Sequence, residues 1–180
     1  MRFPLAVVRE AQRVIAGHAK RPFLLGYRIS PEEAGEGALR IGDSYALIDR
    51  LIEAGVDYLH ASLFDIPNAR PADYTGEHTT AELLVEHVGD RIPLLAGGLI
   101  RTPRDAEKAL TTGLSLVAIG QGLVMNPTWV EIAGDGRETE ITTMLDSDRV
   151  PLLAIPDKLW GAIQAAKGWF KLAKEVVVVE

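Results

Sequence analysis

The stretch from Ile92 to Pro127, IPLLAGGLIRTPRDAEKALTTGLSLVAIGQGLVMNP, constrains the fold more than any other part of the chain. IPLLA and SLVAI are short apolar runs bounded by turn residues, the pattern of strands buried on both faces. A helix with clear ends separates them. Thr102 is its N-cap, Pro103 its first residue, Asp105 stands three after the cap, and Gly113 follows its end. Strand, crossover helix and second strand make a right-handed parallel unit. Both strands run into glycines, Gly97-Gly98 and Gly120-Gln121-Gly122. Backbone N–H groups in two such turns at the carboxyl ends of parallel strands make an anion cradle. In (β/α)8 barrels the loops after the seventh and eighth strands are the usual phosphate site.

The rest of the chain repeats the unit. Residues 4–18 predict an amphipathic helix, with Val7, Val8, Ala11, Val14 and Ile15 on one face and Arg9, Glu10 and Arg13 opposite. A first strand follows over 22–29 and carries Arg28 near its end. A polar, glycine-containing loop leads to a helix over 44–54, which stops at Gly55. A second strand spans 56–62, and a loop rich in Pro, Asn, Asp and Gly precedes a third helix over 80–88. Beyond the opening stretch, residues 128–133 predict a helical turn. A longer helix lies within 155–174, with Leu159, Ile163, Ala166 and Phe170 on one face, and the closing VVVVE has strand-like composition.

The pattern is therefore α/β: four βα units plus a C-terminal helix, in a single domain over 1–180 with no linker. Long loops follow strands and short ones follow helices, as in a barrel with a functional carboxyl-end face. Four units make half of such a barrel. At 180 residues the chain is also short for a whole one, which takes about 250 residues and rarely fewer than about 200. Half a barrel would expose strand edges and apolar faces, so it predicts a partner: a second copy or a separately encoded N-terminal half.

Charge and composition exclude several classes. A net charge of −6 disfavours nucleic acid and anionic membrane as partners. No apolar run approaches the roughly 20 residues of a membrane span, and a cytoplasmic setting is expected. Cysteine is absent, which removes disulfides, thiolate metal sites and a cysteine nucleophile. His18, His78 and His87 show no metal-ligand spacing and read as surface residues. His60, inside a strand, reads as a packed and hydrogen-bonded core histidine.

Several motifs, in order, resemble one family. Arg2-Phe3 before an apolar helix, Tyr27-Arg28-Ile29-Ser30-Pro31-Glu32-Glu33, Asp57-Tyr58-Leu59-His60-Ala61-Ser62, Gly97-Gly98-Leu99-Ile100-Arg101-Thr102-Pro103, and Ala118-Ile119-Gly120-Gln121 with Asn126-Pro127 and Trp129 follow its pattern. The chain resembles the carboxyl-terminal half of the old yellow enzyme family, the FMN-dependent NADH:flavin oxidoreductases and NADH oxidases. The resemblance implies strands five to eight of a (β/α)8 TIM barrel. It also implies FMN as cofactor, NAD(P)H as hydride donor, and an activated alkene or another electron acceptor as substrate. Arg28 would sit near the pyrimidine end of the flavin and favour negative charge there. Gly97, Gly98 and Leu99 would present backbone N–H groups to the FMN phosphate, with Gly120 and Gln121 from the next turn.

Two departures follow. The family usually has arginine where this chain has Gln121, so one positive charge facing the phosphate is missing, and nearby Arg101 could partly compensate. The family's substrate-polarising pair and tyrosine proton donor belong to the other half, so no residue here is assigned a catalytic role. Beside the enzymatic expectation stands a second: a truncated, inactive half barrel, or a weak phosphate- or FMN-binding module that needs a partner half.

Overall fold

The structure is a computed structural model that describes residues 1–173. In chain order its principal elements are α1 (Arg2–His18), β1 (Gly26–Ile29), α2 (Ile41–Glu53), β2 (Tyr58–Ser62), α3 (Thr80–Val88), β3 (Leu94–Gly97), α4 (Pro103–Leu110), β4 (Leu116–Ala118), α5 (Gln121–Met125), α6 (Trp129–Gly134) and α7 (Asp157–Ala165). The four strands form one parallel sheet in the order β1-β2-β3-β4, as the repeated βα pattern predicts. The residues gather into two compact units. One holds Met1–Leu99 and Glu107–Ala118; the other holds Ile100–Ala106 and the chain from Ile119 on.

In the first unit the register sets Arg28 beside His60, His60 beside Leu95, and Leu95 beside Leu116. Alternation along each strand then sorts the side chains onto two faces. One face carries Ile29, Leu59, Ala61, Leu94 and Ala96, all buried. Its helices contribute the buried Ile48, Leu51, Leu84 and Val88, and α1 packs on α2, α2 on α3, and α3 on β3. The other face carries Gly26, Arg28, Tyr58, His60, Ser62, Leu95, Gly97, Leu116 and Ala118, and none of these is fully buried. The strands are thus buried on one face, not on both as their apolar runs predict. Continuous apolar composition shows that both faces avoid water in some setting; it does not show that this chain covers both.

Element ends differ from the sequence-based expectation where local bonds decide them. The helix expected from Ser44 begins at Ile41, because the Asp43 carboxylate accepts the Arg40 N–H at 2.9 Å and caps the chain a turn earlier. Ser44 is instead buried inside the helix, its hydroxyl donating to the Pro31 carbonyl at 2.6 Å. The α3 start is as the capping pattern requires: Thr79 and Glu82 bond reciprocally, with Glu82 Oε2 accepting Thr79 N–H at 2.7 Å. On α1 only Val8 of the predicted apolar face is buried. Val7 and Val14 stay exposed and line an apolar groove with Phe3, Phe23 and Leu25.

The second unit has its own core of Met125, Leu145, Ile155, Ile163 and Phe170. The helix expected within 155–174 ends at Ala165. Its cap residue Ala166 leaves helical geometry, and Gly168 then adopts a left-handed φ of 82°. Phe170 keeps its buried place from an irregular segment tied to Leu145, whose N–H donates to the Lys171 carbonyl at 2.8 Å. The closing VVVVE lies outside the described residues.

Candidate functional site

The carboxyl ends of β1, β2 and β3 bring three sequence-predicted features onto the open face of the first unit. Arg28 donates from Nη2 to the Ser62 hydroxyl at 2.6 Å and forms no ion pair with a carboxylate among the described residues. A simple surface role would have given it an acid partner; its charge is held by a neutral one. Its guanidinium also acts on His60, the neighbour in register. Burial first, and the Arg28 charge second, hold the His60 imidazole below its ordinary pKa, which favours the neutral ring. His60 makes no hydrogen bond among the described residues, so it is not the packed, bonded core histidine expected; the open face is why. Ser62 could have been found from the same alternation, two residues beyond His60 on one strand face.

Gly97, Gly98 and Leu99 end β3. A Cβ on Gly98 would lie 2.8 Å from the Leu63 carbonyl oxygen and 3.3 Å from the Asp65 amide nitrogen, so the loop after β2 crosses it too closely for any side chain. Gly97 is less constrained, with its virtual Cβ 3.3 Å from the Ala118 oxygen. Leu99 adopts φ 52°, a left-handed conformation uncommon outside glycine, with its side chain partly exposed. Strain of this kind costs on the order of 1 kcal/mol and persists where the surroundings impose it, often at ligand-binding turns.

In the second unit, the first turn of α4 is fixed by its cap. Asp105 Oδ2 accepts the N–H groups of Thr102 at 2.8 Å and Arg101 at 3.1 Å, and Thr102 Oγ1 accepts Asp105 N–H at 3.2 Å. Gly120 caps α5 with φ −106° and ψ −84°, and open space surrounds its missing Cβ. Gln121 spends its amide nitrogen on the Trp169 carbonyl. Gly122 is a close approach: a Cβ there would meet the Ile100 oxygen at 3.2 Å and Arg101 Cα at 3.7 Å. The Trp129 indole N–H donates to the Arg101 carbonyl at 2.7 Å. Asn126 is buried and fully bonded, donating to the Gly122 and Thr142 carbonyls and accepting from Thr142 N–H and Oγ1. Asn126 and Trp129, noted in the sequence as parts of a motif, therefore hold backbone.

Two features were missed by the sequence reading. His87 is no free surface residue: its ring stacks on Tyr45 at 4.1 Å, and Nε2 lies 3.0 Å from Asp49, which also takes Arg91 at 2.7 Å. The hydrogen bond from Arg91, with lesser help from His87, holds the Asp49 carboxyl below its ordinary range. Arg101 Nε is buried and without a hydrogen-bond partner, the single such side-chain atom among the described residues. No pattern in the sequence marks that burial. Among the described residues, no group of three or more metal-ligating side chains comes together, and no helix is long and apolar enough to cross a membrane.

Comparison with known proteins agrees with the motif order. The family model described as the NADH:flavin oxidoreductase / NADH oxidase family matches residues 1–140. The chain is 39% identical over 169 residues to the probable NADH-dependent flavin oxidoreductase YqiG of Bacillus subtilis, covering 93% of this chain and 45% of that protein. It is 32% identical over 161 residues to the NADH:acrylate oxidoreductase of Vibrio harveyi, covering 88% of this chain and 16% of that protein. It is 31% identical over 167 residues to the NADH:fumarate oxidoreductase of Klebsiella pneumoniae, covering 88% and 17%. The chain thus spans less than half the length of these curated relatives.

Proposed function

Because the chain belongs to the NADH:flavin oxidoreductase / NADH oxidase family, we propose that it is the FMN-holding part of an NADH-dependent flavin oxidoreductase acting on a small electron acceptor. Its four strands would be the fifth to eighth of a (β/α)8 barrel, which places the strand carboxyl ends at the ligand face. The observation that carries the reading is Arg28: a cation at a strand carboxyl end, on the open sheet face, bonded to a hydroxyl and, among the described residues, to no carboxylate. That charge remains available to an anionic or electron-rich ligand edge.

The residues present fit the cofactor. Gly97 and Gly98 carry no side chain that could cover this turn, and Leu99 follows them in a left-handed conformation. Their amides would hold phosphate oxygens, and Gly120 and Gln121 would do so from the turn after β4. Bound FMN would supply hydride transfer between NADH and the acceptor. Arg28 would bias the flavin toward accepting negative charge, and His60, held toward its neutral form, would add no charge of its own.

A second reading is a binding module that works only when paired. The open sheet face and the outer strands β1 and β4, each bonded to one neighbour, favour it. One experiment tests both: FMN is titrated into the purified chain while flavin fluorescence and particle size are followed together. Near-stoichiometric, saturable binding supports the flavin reading, and binding confined to an oligomer supports the paired module. Absence of binding by every species present would sink the proposal. An Arg28→Met chain should bind FMN more weakly and, when loaded, poise the flavin at a lower potential.

A further inference from the structure

We infer that Arg101 is the cation that takes the phosphate group at this site, a role that depends on the flavin reading only for which phosphate is bound. Arg101 stands at the entry to α4, and its backbone is held from three sides. Its N–H donates to Asp105 Oδ2 at 3.1 Å, its carbonyl accepts the Trp129 indole at 2.7 Å, and a Cβ on Gly122 would lie in van der Waals contact with its Cα at 3.7 Å. A backbone so fixed places the base of the side chain with little freedom.

The guanidinium itself is not committed. Arg101 takes part in no ion pair among the described residues, and its Nε is buried without an acceptor. A buried N–H of a charged group without a partner is a standing penalty, and an anion removes it. The acid of the cap forms no ion pair with it: Asp105 Oδ2 accepts the two backbone amides of Arg101 and Thr102. Of the other arginines of the same unit, Arg137 pairs with Asp135 and Glu140, Arg149 bonds the Thr142 hydroxyl, and Arg104 is exposed. Gln121 has its amide nitrogen on the Trp169 carbonyl and carries no charge. Arg101 is left as the partly buried cation with an unpartnered nitrogen beside the glycine turn at Gly120–Gly122, among the described residues. A guanidinium fork suits a phosphate monoester, whose oxygens accept in pairs.

The test uses the full chain. The Arg101 Nε–H resonance, assigned by its loss in Arg101→Lys, is followed by 15N-edited NMR while inorganic phosphate, FMN and riboflavin are added at constant ionic strength. Affinities for FMN and riboflavin are measured in parallel for the wild type, Arg101→Gln and Arg101→Lys. We expect a saturable shift with phosphate and with FMN, and none with riboflavin. Arg101→Gln should weaken FMN about tenfold or more while riboflavin changes less than about twofold, and Arg101→Lys should fall between. An Nε–H resonance indifferent to both phosphate and FMN overturns the inference, even where FMN binds and the flavin reading stands. Equal loss of FMN and riboflavin in a folded Arg101→Gln chain also overturns it. A phosphate response without any flavin binding upholds Arg101 and defeats the flavin reading. The resonance arm uses wild-type protein, so a misfolded variant does not decide the matter.

Discussion

Replacing Asn126 tests how the second unit is held. Asn126 is 3% exposed, and its amide makes four hydrogen bonds. Nδ2 donates to the Gly122 carbonyl at 3.0 Å and the Thr142 carbonyl at 2.8 Å. Oδ1 accepts the Thr142 N–H at 2.9 Å and its hydroxyl at 3.1 Å. The side chain thus imitates a strand edge for the 142 segment while it holds α5. Each net bond is worth about 1 kcal/mol, but Gly122 O also receives the Asn126 backbone N–H, and Thr142 Oγ1 also receives Arg149, so these two keep other partners. The loss in Asn126→Ala therefore comes to about 3 kcal/mol, the cost of two Thr142 backbone groups left without this partner plus the vacated volume. Asn126→Asp should be worse, about 4 kcal/mol or more, because an anionic oxygen then faces two carbonyls in a buried place. The three tryptophans, Trp129, Trp160 and Trp169, all lie in this unit, so intrinsic fluorescence during urea unfolding reads it directly. For a chain of this length, 3 kcal/mol corresponds to a fall of roughly 6–12 °C in Tm. A loss below about 1 kcal/mol, or an Asp variant more stable than the Ala variant, would refute the account.

Other substitutions separate packing from binding. Gly98→Ala should cost about 1–3 kcal/mol, since its Cβ meets rigid backbone at Leu63, whereas Gly120→Ala should unfold like the wild type because nothing crowds it; denaturation curves for both check this. Leu99→Gly relieves a left-handed φ at a partly exposed residue and should leave the chain equally stable or up to about 1 kcal/mol more so, read by thermal melting. The Asp49 carboxyl has a folded pKa below its unfolded one, so its contribution is present above about pH 4 and is lost as pH falls through the lower folded value. Urea unfolding followed by far-UV circular dichroism should therefore show Asp49→Asn less stable than wild type at pH 7, with the gap closing as the pH falls into acid; a gap that widens in acid would contradict the assignment.

Much of the site was legible as position and little of it as commitment. Arg28 falls at a strand end and Gly97-Gly98 and Gly120 fall at turns because these placements follow from local chemistry: apolar runs, a Thr-Pro-x-Asp start, glycines after strands. What each polar group bonds to is a contact between distant segments. Arg28 to Ser62 joins residues 34 apart, and Gln121 to Trp169 joins residues 48 apart. No window of sequence contains both partners. The same limit explains His60 and His87, one read as core and found on an open face, the other read as surface and found between Tyr45 and Asp49.

The amino-acid sequence by itself determined the four parallel βα units, the cap at Thr102–Asp105 and the glycine turns, because hydrophobic periodicity, capping and backbone freedom act over a few residues. Tertiary structure alone decided that the sheet buries one face, that Gly98 must yield to the Leu63 backbone, and that Arg101 keeps a buried nitrogen without a partner among the described residues. Those outcomes depend on which surfaces meet and which charges are already satisfied, and both are set only when segments far apart in the chain come together.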